Sequence, residues 1–310
     1  MPISKSQVIF LAGPTGAGKT ALSIKFAKKI NGEIICCDSM QIYKGMDILT
    51  AQPSAKEFSA VSHHLFKIIS PTRNFSVAQY RKLAVKKIKE IHAKGRVPIF
   101  VGGTGLYVQA LLDGLFSSPK EDKTYRKKLS LEAEKCGTAI LHKRLKKIDP
   151  EAAKAIHKND LRRIMRALEV FHLTGKTISE LKKSSRGGIF GLYKICVACL
   201  FYKNRDLLYK RINKRVEVML KNGLIEEVKG LSKMKLSMTA QQALGIKHIR
   251  NFIDGKCSVV EAEELLKRDS RRYAKRQLSW FRREKRTQWI ALDGEKSLDT
   301  IKNILYYYNK

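Results

Sequence analysis

The chain has 310 residues, 44% of them hydrophobic, enough for one large or two moderate cores and too apolar for a disordered segment. It carries 62 Lys and Arg against 28 Asp and Glu, a formal net charge of +34. Such a field attracts polyanions and resists self-association, so a monomer with an anionic macromolecular partner is expected. No apolar run approaches the ~18 to 20 residues of a membrane span and the start of the chain shows no signal-peptide pattern, so a cytoplasmic protein with no membrane contact is expected.

The first predicted strand, Val8–Ala12, runs into Gly13-Pro14-Thr15-Gly16-Ala17-Gly18-Lys19-Thr20 and then into a predicted helix over Ala21–Ile30. This is G-x-x-x-x-G-K-[ST] in the strand–loop–helix setting the motif requires. Its glycines let consecutive N–H groups converge on phosphate oxygens, and the following helix adds its positive end. Lys19 supplies a point charge for the outer phosphate, and the Thr20 hydroxyl is placed to reach Mg2+. A polyphosphate or diphosphate is the expected ligand.

A second strand, Glu33–Cys37, ends at Asp38-Ser39-Met40-Gln41. A carboxylate just beyond a strand suits magnesium binding or proton acceptance, but Asp is equally common as a strand-end cap, and spacing does not separate the two. A short strand is predicted over Leu65–Ile69 and a helix over Val77–Ala93. A further strand, Val97–Val101, leads into Gly102-Gly103-Thr104-Gly105 and a helix over Leu106–Leu112. Glycines there permit close backbone approach to a ligand, or simply a tight turn.

From Pro119 to Ser185 the strands stop, and a charged, helix-patterned stretch is broken at Gly137, Asp149-Pro150 and Gly175. Within it, Arg162 and Arg166 share one helical face opposite Ile164 and Leu168. Strand character resumes at Ile195–Phe201, whose Cys196 and Cys199 read as packed thiols because no second cysteine pair lies at zinc-site spacing. The last strand is Gln288–Leu292. Before it, in Ser270–Arg283, Arg271, Lys275 and Arg282 share a face, as do Arg272, Arg276 and Arg283, while Ala274, Leu278 and Phe281 form an apolar stripe. Like charges at i, i+4 destabilise a helix by a few tenths of a kcal/mol per pair, so repeating them calls for an anion to neutralise them. Arginine forks interleaved with Tyr273, Gln277 and Trp280 suit RNA.

Near-continuous apolar strands alternating with helices predict an α/β fold, a P-loop NTPase-like parallel sheet core over 1–118 and 186–310, with an inserted helical domain over 119–185. Gly13, Asp38 and Gly102, each at a strand end, should converge on one crevice.

In that order the chain carries GPTGAGKT (13–20), DSMQIYKGMDI (38–48), HHL (63–65), FSVAQY (75–80), VGGTGLY (101–107), LRRIMRALEV (161–170), QALGIK (242–247) and RRYAKRQLSWFR (271–282). Together they resemble the tRNA dimethylallyltransferase family over nearly the whole chain. Leu49 and Gln52 depart from the family's usual Gly and Lys, and Ile246 from a common Tyr. The resemblance implies transfer of a dimethylallyl group from dimethylallyl diphosphate to N6 of adenosine 37 in tRNAs reading codons that begin with U. N6-(dimethylallyl)adenosine and diphosphate result, and no nucleotide is hydrolysed.

On this reading the phosphate loop, Gly13 to Thr20, holds the donor's diphosphate rather than a nucleotide's. Asp38 is the general base. Lys19, Mg2+ on Thr20, and Arg211 or Arg215 stabilise the leaving diphosphate. The resemblance further implies that Asp38, Ser39, Met40 and Gln41 hold the extruded nucleotide and that Thr104 and Arg126 touch tRNA. It gives the anticodon arm to three further runs: Arg162, Arg163, Ile164, Met165 and Arg166; Gln242, Ala243, Leu244, Gly245, Ile246 and Lys247; and Lys275, Arg276, Gln277, Leu278, Ser279, Trp280, Phe281 and Arg282. The competing readings are a small-molecule P-loop kinase, a prenyltransferase acting on free AMP or ATP, and an RNA-binding protein with a vestigial loop. The first would leave both arginine clusters without a role.

Overall fold

The computed structural model describes residues 7–117, 119–293 and 297–309. Six parallel strands form one sheet in the order β3-β2-β4-β1-β7-β8: β1 Gln7–Ala12, β2 Gly32–Cys36, β3 His63–His64, β4 Val97–Gly102, β7 Lys194–Phe201 and β8 Thr287–Ala291. The short ribbon pair β5 Gly114–Leu115 and β6 Arg186–Gly187 stands apart from it. Central β1 pairs with β4 on one side and β7 on the other, and its six residues are all buried. That burial on both faces is why the strand reads as an unbroken apolar run.

The chain divides into two compact units. One holds the large sheet, from the start of the chain to Leu111 and from Phe190 on; the other runs from Leu112 to Ile189. The second is wider than the composition break at Pro119 and Ser185 implies, because Gly114 and Leu115 pair antiparallel with Gly187 and Arg186 and close its two ends together.

In the sheet unit, α1 Lys19–Ile30, α2 Ala55–Ala60, α3 Val77–Ala93 and α4 Gly105–Leu112 come before the insertion. The helical unit comprises α5 Lys123–Cys136, α6 Thr138–Ile148, α7 Pro150–Ala155, α8 Leu161–Thr174 and α9 Ile178–Lys183. Then come α10 Arg205–Lys221, α11 Leu224–Ser232, α12 Ile246–Ile253, α13 Val259–Phe281 and α14 Ser297–Asn309. Helix α3 starts at a reciprocal capping box between Ser76 and Gln79, which fixes its first turn at the predicted residue.

The predicted strand over Leu65–Ile69 does not form. Pairing with β2 is confined to His63–His64, Ile69 makes only an isolated parallel bridge to Tyr43, and Leu65 and Lys67 take positive φ, which breaks the extended backbone between them. What holds β3 in place is Glu33, buried at the start of β2, which accepts from His64 Nε2 at 2.6 Å and Arg96 Nη1 at 2.8 Å. Burial alone would raise the Glu33 pKa; the His64 and Arg96 hydrogen bonds outweigh it and hold the carboxyl below its ordinary value.

Candidate active site

The phosphate loop leaves β1 at Gly13 and becomes helical at Lys19. Gly16 and Gly18 sit at φ +81° and +80°, left-handed backbone that only glycine enters freely. No side chain caps α1, so its first N–H groups stay open to an anion. Ala17 is buried in the core and anchors the loop from below. Lys19 folds back over the loop, its Nζ donating to Gly13 O at 2.9 Å and Pro14 O at 2.8 Å. Withdrawal from water lowers its pKa to about 8, with Asp38 opposing and Arg215 reinforcing the shift. Arg211 Nε donates to Gly16 O at 2.9 Å, and Arg215 Nη2 to Thr50 O at 3.3 Å.

Beyond β2, the Cys37 N–H still donates to Val101 O at 2.8 Å, and the chain then turns away at Asp38. Asp38 Oδ1 accepts the Met40 N–H at 2.9 Å. Ser39 donates its N–H to Thr104 Oγ1 at 2.9 Å, and Thr104 donates its own to Cys37 O at 3.2 Å, so the loops after β2 and β4 are laced together. Beneath them the buried Tyr80 hydroxyl donates to Cys36 O at 2.8 Å, and its ring stacks on Tyr107 at 3.7 Å. The tyrosines of FSVAQY and VGGTGLY thus brace the strand end that carries Asp38. Gln41 Nε2 donates to Thr50 O at 3.1 Å and Ala51 O at 2.9 Å. Glu227 of α11 accepts the N–H groups of Ile48 and Leu49, both at 2.8 Å. No local pattern marks Glu227; its partners lie 178 and 179 residues away.

The phosphate loop, Asp38 and Gly102 line one cleft of about 1140 Å³ together with Arg211, Arg215 and the α13 side chains Tyr273 and Arg276. The crevice expected at the strand ends therefore exists. The reason for its glycines is different. A Cβ on Gly102 would lie 2.0 Å from Cys37 O, one on Gly103 2.0 Å from Gln277 Nε2, and one on Gly105 2.1 Å from the Trp280 ring. They admit the protein's own chain rather than a ligand.

Of the α13 residues expected to meet RNA, Lys275, Arg276 and Arg282 are exposed and have no acidic partner among the described residues. The Arg276 guanidinium lies 5.6 Å from the Tyr273 ring centre. Leu278, Ser279 and Trp280 are half-buried, whereas the Gln277 and Phe281 side chains are buried. Gln277 Oε1 accepts the Thr15 N–H at 2.8 Å and its Nε2 donates to Gly103 O at 3.1 Å. Burial raises the Tyr273 pKa and Asp38 adds to it, while hydrogen bonding with Thr104 and Gln277 opposes the shift. Before α12, Gln242 is exposed, Leu244 half-buried, and Ala243 and Ile246 buried; Gly245 takes φ +103° and Lys247 is exposed.

In the helical unit, Ile164 belongs to the core and Met165 packs against it. Glu169, fully buried, accepts from Arg126 Nε at 2.8 Å, from Arg126 Nη2 at 2.9 Å, from the Asp122 N–H at 2.8 Å, and from Arg166. Desolvation pushes its pKa up, but these donors prevail and hold it below the ordinary carboxylate value. The anion that the Arg162/Arg166 spacing calls for is in part this internal carboxylate. Arg162 and Arg163 are exposed; Arg163 pairs with Asp160 at 3.3 Å, and Arg162 has no acidic partner among the described residues. All six cysteines are free, and burial pushes the Cys37, Cys196 and Cys199 thiols up to about 12, leaving them unreactive at neutral pH.

No helix among the described residues is long and apolar enough to cross a membrane. The model of the IPP transferase family matches residues 41–284. The tRNA dimethylallyltransferase of Carboxydothermus hydrogenoformans is 49% identical over 303 residues, covering 95% of this chain and 94% of that protein. That of Caldanaerobacter subterraneus subsp. tengcongensis is 44% identical over 305 residues, 97% of each. Among solved structures, the full-length tRNA isopentenylpyrophosphate transferase of Bacillus halodurans superposes with a TM-score of 0.71 at 41% identity, covering 98% of this chain and 97% of that one. A eukaryotic dimethylallyltransferase acting on tRNA gives 0.71 at 31% identity, over 89% of this chain and 70% of that one.

Proposed function

This chain belongs to the IPP transferase family, the tRNA dimethylallyltransferases, and on that premise we propose how its own residues carry out the transfer. The donor is dimethylallyl diphosphate, and the acceptor is N6 of adenosine 37 beside the anticodon. The protein acts as a cytoplasmic monomer. The observation that carries this reading is the convergence of an uncapped phosphate loop, Asp38 and the cations Arg211, Arg215 and Arg276 on one cleft.

The N6 lone pair of adenine is delocalised into the ring and is a poor nucleophile. A carboxylate within hydrogen-bond reach makes it effective by taking the proton as the C–N bond forms. Asp38 has that role: Oδ1 is steered by the Met40 N–H, and the loop that carries it is held by Thr104. As the allylic C–O bond breaks, negative charge gathers on the departing diphosphate. The N–H groups of Gly16 to Thr20, Lys19 and Arg211 or Arg215 neutralise it in a site partly shut off from water, where such interactions count for more. Lys19 gives up its bonds to Gly13 O and Pro14 O for phosphate oxygens.

Mg2+ fits this donor set. Thr20 and Asp38 line the same cleft, and Mg2+ is commonly bound through one or two protein carboxylates plus substrate phosphates rather than in an all-protein cage. The Thr20 hydroxyl would hold it, and there it would supply further charge neutralisation to the diphosphate. The base must leave its stack to reach Asp38, so Ser39, Met40 and Gln41 hold an extruded nucleotide. The anticodon arm lies along the exposed residues of α13, Gln242 and Lys247, with Arg162 and Arg163 supplying further phosphate contacts.

The deciding experiment incubates the purified protein with labelled dimethylallyl diphosphate and unmodified tRNA, then digests the RNA to nucleosides. Label in N6-(dimethylallyl)adenosine at position 37 is the expected result. Phosphoryl transfer from ATP with no prenylated nucleoside would overturn the reading.

A further inference from the structure

We infer that Gln277 is a positioning residue for the prenyl donor: it holds the diphosphate loop in its receptive shape from the RNA-binding helix. The inference rests on the transfer reading above.

Gln277 follows Arg276 in sequence, but on the helix it shares the buried face with Ser270, Ala274 and Phe281 and so points away from the cationic side. Both ends of the amide are committed. Oε1 takes the Thr15 N–H at 2.8 Å, across 262 residues of sequence, and Nε2 gives to Gly103 O at 3.1 Å. One planar group therefore ties the loop after β1 to the loop after β4. The tie is built in from the other side as well, since Gly103 leaves no room for a Cβ beside Gln277 Nε2 or Gly13 O, which would lie 2.0 Å and 2.9 Å away.

The consequence for the anion follows from which donor is consumed. Thr15 N–H is turned towards Gln277, so the phosphate nest is formed by the N–H groups that follow it, and Thr15 becomes the fixed post from which they swing. A nest works only when its amides are aimed before the ligand arrives, because aiming them afterwards costs binding energy. Without the Gln277 amide, the first half of the loop is held by the Ala17 N–H to Pro14 O, by Arg211 Nε on Gly16 O, and by Lys19, whose bonds to Gly13 O and Pro14 O must be surrendered to the diphosphate. Gln277 is the side chain that ties Thr15 to the loop after β4 and keeps that tie when substrate binds.

The test uses the full-length protein with dimethylallyl diphosphate, tRNA and inorganic pyrophosphate. Gln277→Met keeps nearly the same volume and removes both hydrogen-bonding atoms; Gln277→Glu restores an acceptor for Thr15 N–H but not the donor to Gly103 O. With Met, KM for dimethylallyl diphosphate and Kd for pyrophosphate should each rise about tenfold while tRNA affinity stays within about twofold, the pattern of a lost donor-side interaction. Glu should fail to recover donor affinity, because it leaves Gly103 O unpaired and sets a negative charge beside the anion. Equal losses for donor and tRNA would mean that the side chain is merely structural and would overturn the proposal, as would unchanged or tighter pyrophosphate binding. If the unmodified protein itself transfers no prenyl group, the transfer reading fails and takes this inference with it; if it turns over normally and Gln277→Met does too, only the inference falls.

Discussion

Helices α8 and α13 carry the same signature, arginines four apart on a face opposite apolar residues, and the protein uses the two differently. On α8, Arg166 turns to Glu169, a fully buried carboxylate that also receives two bonds from Arg126. The charge repulsion on that helix is offset inside the fold. On α13, Arg271 bonds Asn213 and Arg272 lies near Asp269, but Lys275, Arg276 and Arg282 meet no carboxylate among the described residues. Their counter-charge has to come from outside. Spacing therefore reveals that a cationic face needs an anion; only the fold says whether a carboxylate of the chain supplies it.

The largest expected effect lies in neither helix and fixes the baseline for both. Asp38→Ala should lower prenyl transfer by roughly 10²- to 10⁴-fold, the range of a lost general base, and leave tRNA affinity nearly intact in a filter-binding titration. Retained turnover would remove Asp38 from the chemistry and leave the clusters as the only assigned contacts.

Next comes the internal anion. Glu169→Gln strands Arg126 and Arg166 around a buried neutral group and should destabilise the helical unit by about 3 kcal/mol, read as lost hydrogen-exchange protection in α5 and α8. Glu169 titrates below its ordinary value in the fold, so its contribution is complete above a pH of about 4.5 and disappears as pH falls through the folded value. The variant should lose that acid sensitivity. A Glu169→Gln protein as stable as the parent would erase the contrast between the two helices.

On α13 the expectation is reversed. Arg276→Ala should leave the melting temperature unchanged, weaken tRNA several-fold, and flatten the plot of log affinity against log salt by about one unit, the signature of one lost phosphate contact. Arg162→Ala, the unpaired arginine of α8, should give the same unit of slope, while Arg166→Ala should move stability first. An unchanged slope at Arg276 would make its face an ordinary solvated surface.

The smallest effect is at Lys19. Its folded pKa of about 8 lies below the ordinary 10.5, so keeping it charged costs the free protein stability below about pH 8, and that cost disappears as pH rises towards 10.5. Bound diphosphate needs the charge. Pyrophosphate affinity should therefore fall by about threefold between about pH 7.5 and 8.5 as the charged fraction of Lys19 drops, and Lys19→Met should lose most of that change, measured by isothermal titration.

Parts of this molecule could be read without its fold. Gly16, Gly18, Lys19 and Thr20 act through backbone dihedrals and a helix start, both short-range properties, and α3 begins where its Ser76–Gln79 box says it must. The central strands were legible because a strand buried on both faces has to be apolar throughout. Residues 65–69 have that apolar look, but positive φ at Leu65 and Lys67 comes from tertiary packing that local composition does not encode. What only the assembled chain decided is which partner each polar group meets. Glu227 reaches Ile48 and Leu49, Gln277 reaches Thr15, and Glu169 gathers Arg126 and Arg166, pairings from 3 to 262 residues apart. A buried charge or amide must find its complement somewhere, and sequence spacing tells where that search begins, whereas the location of the complement is a property of three-dimensional packing.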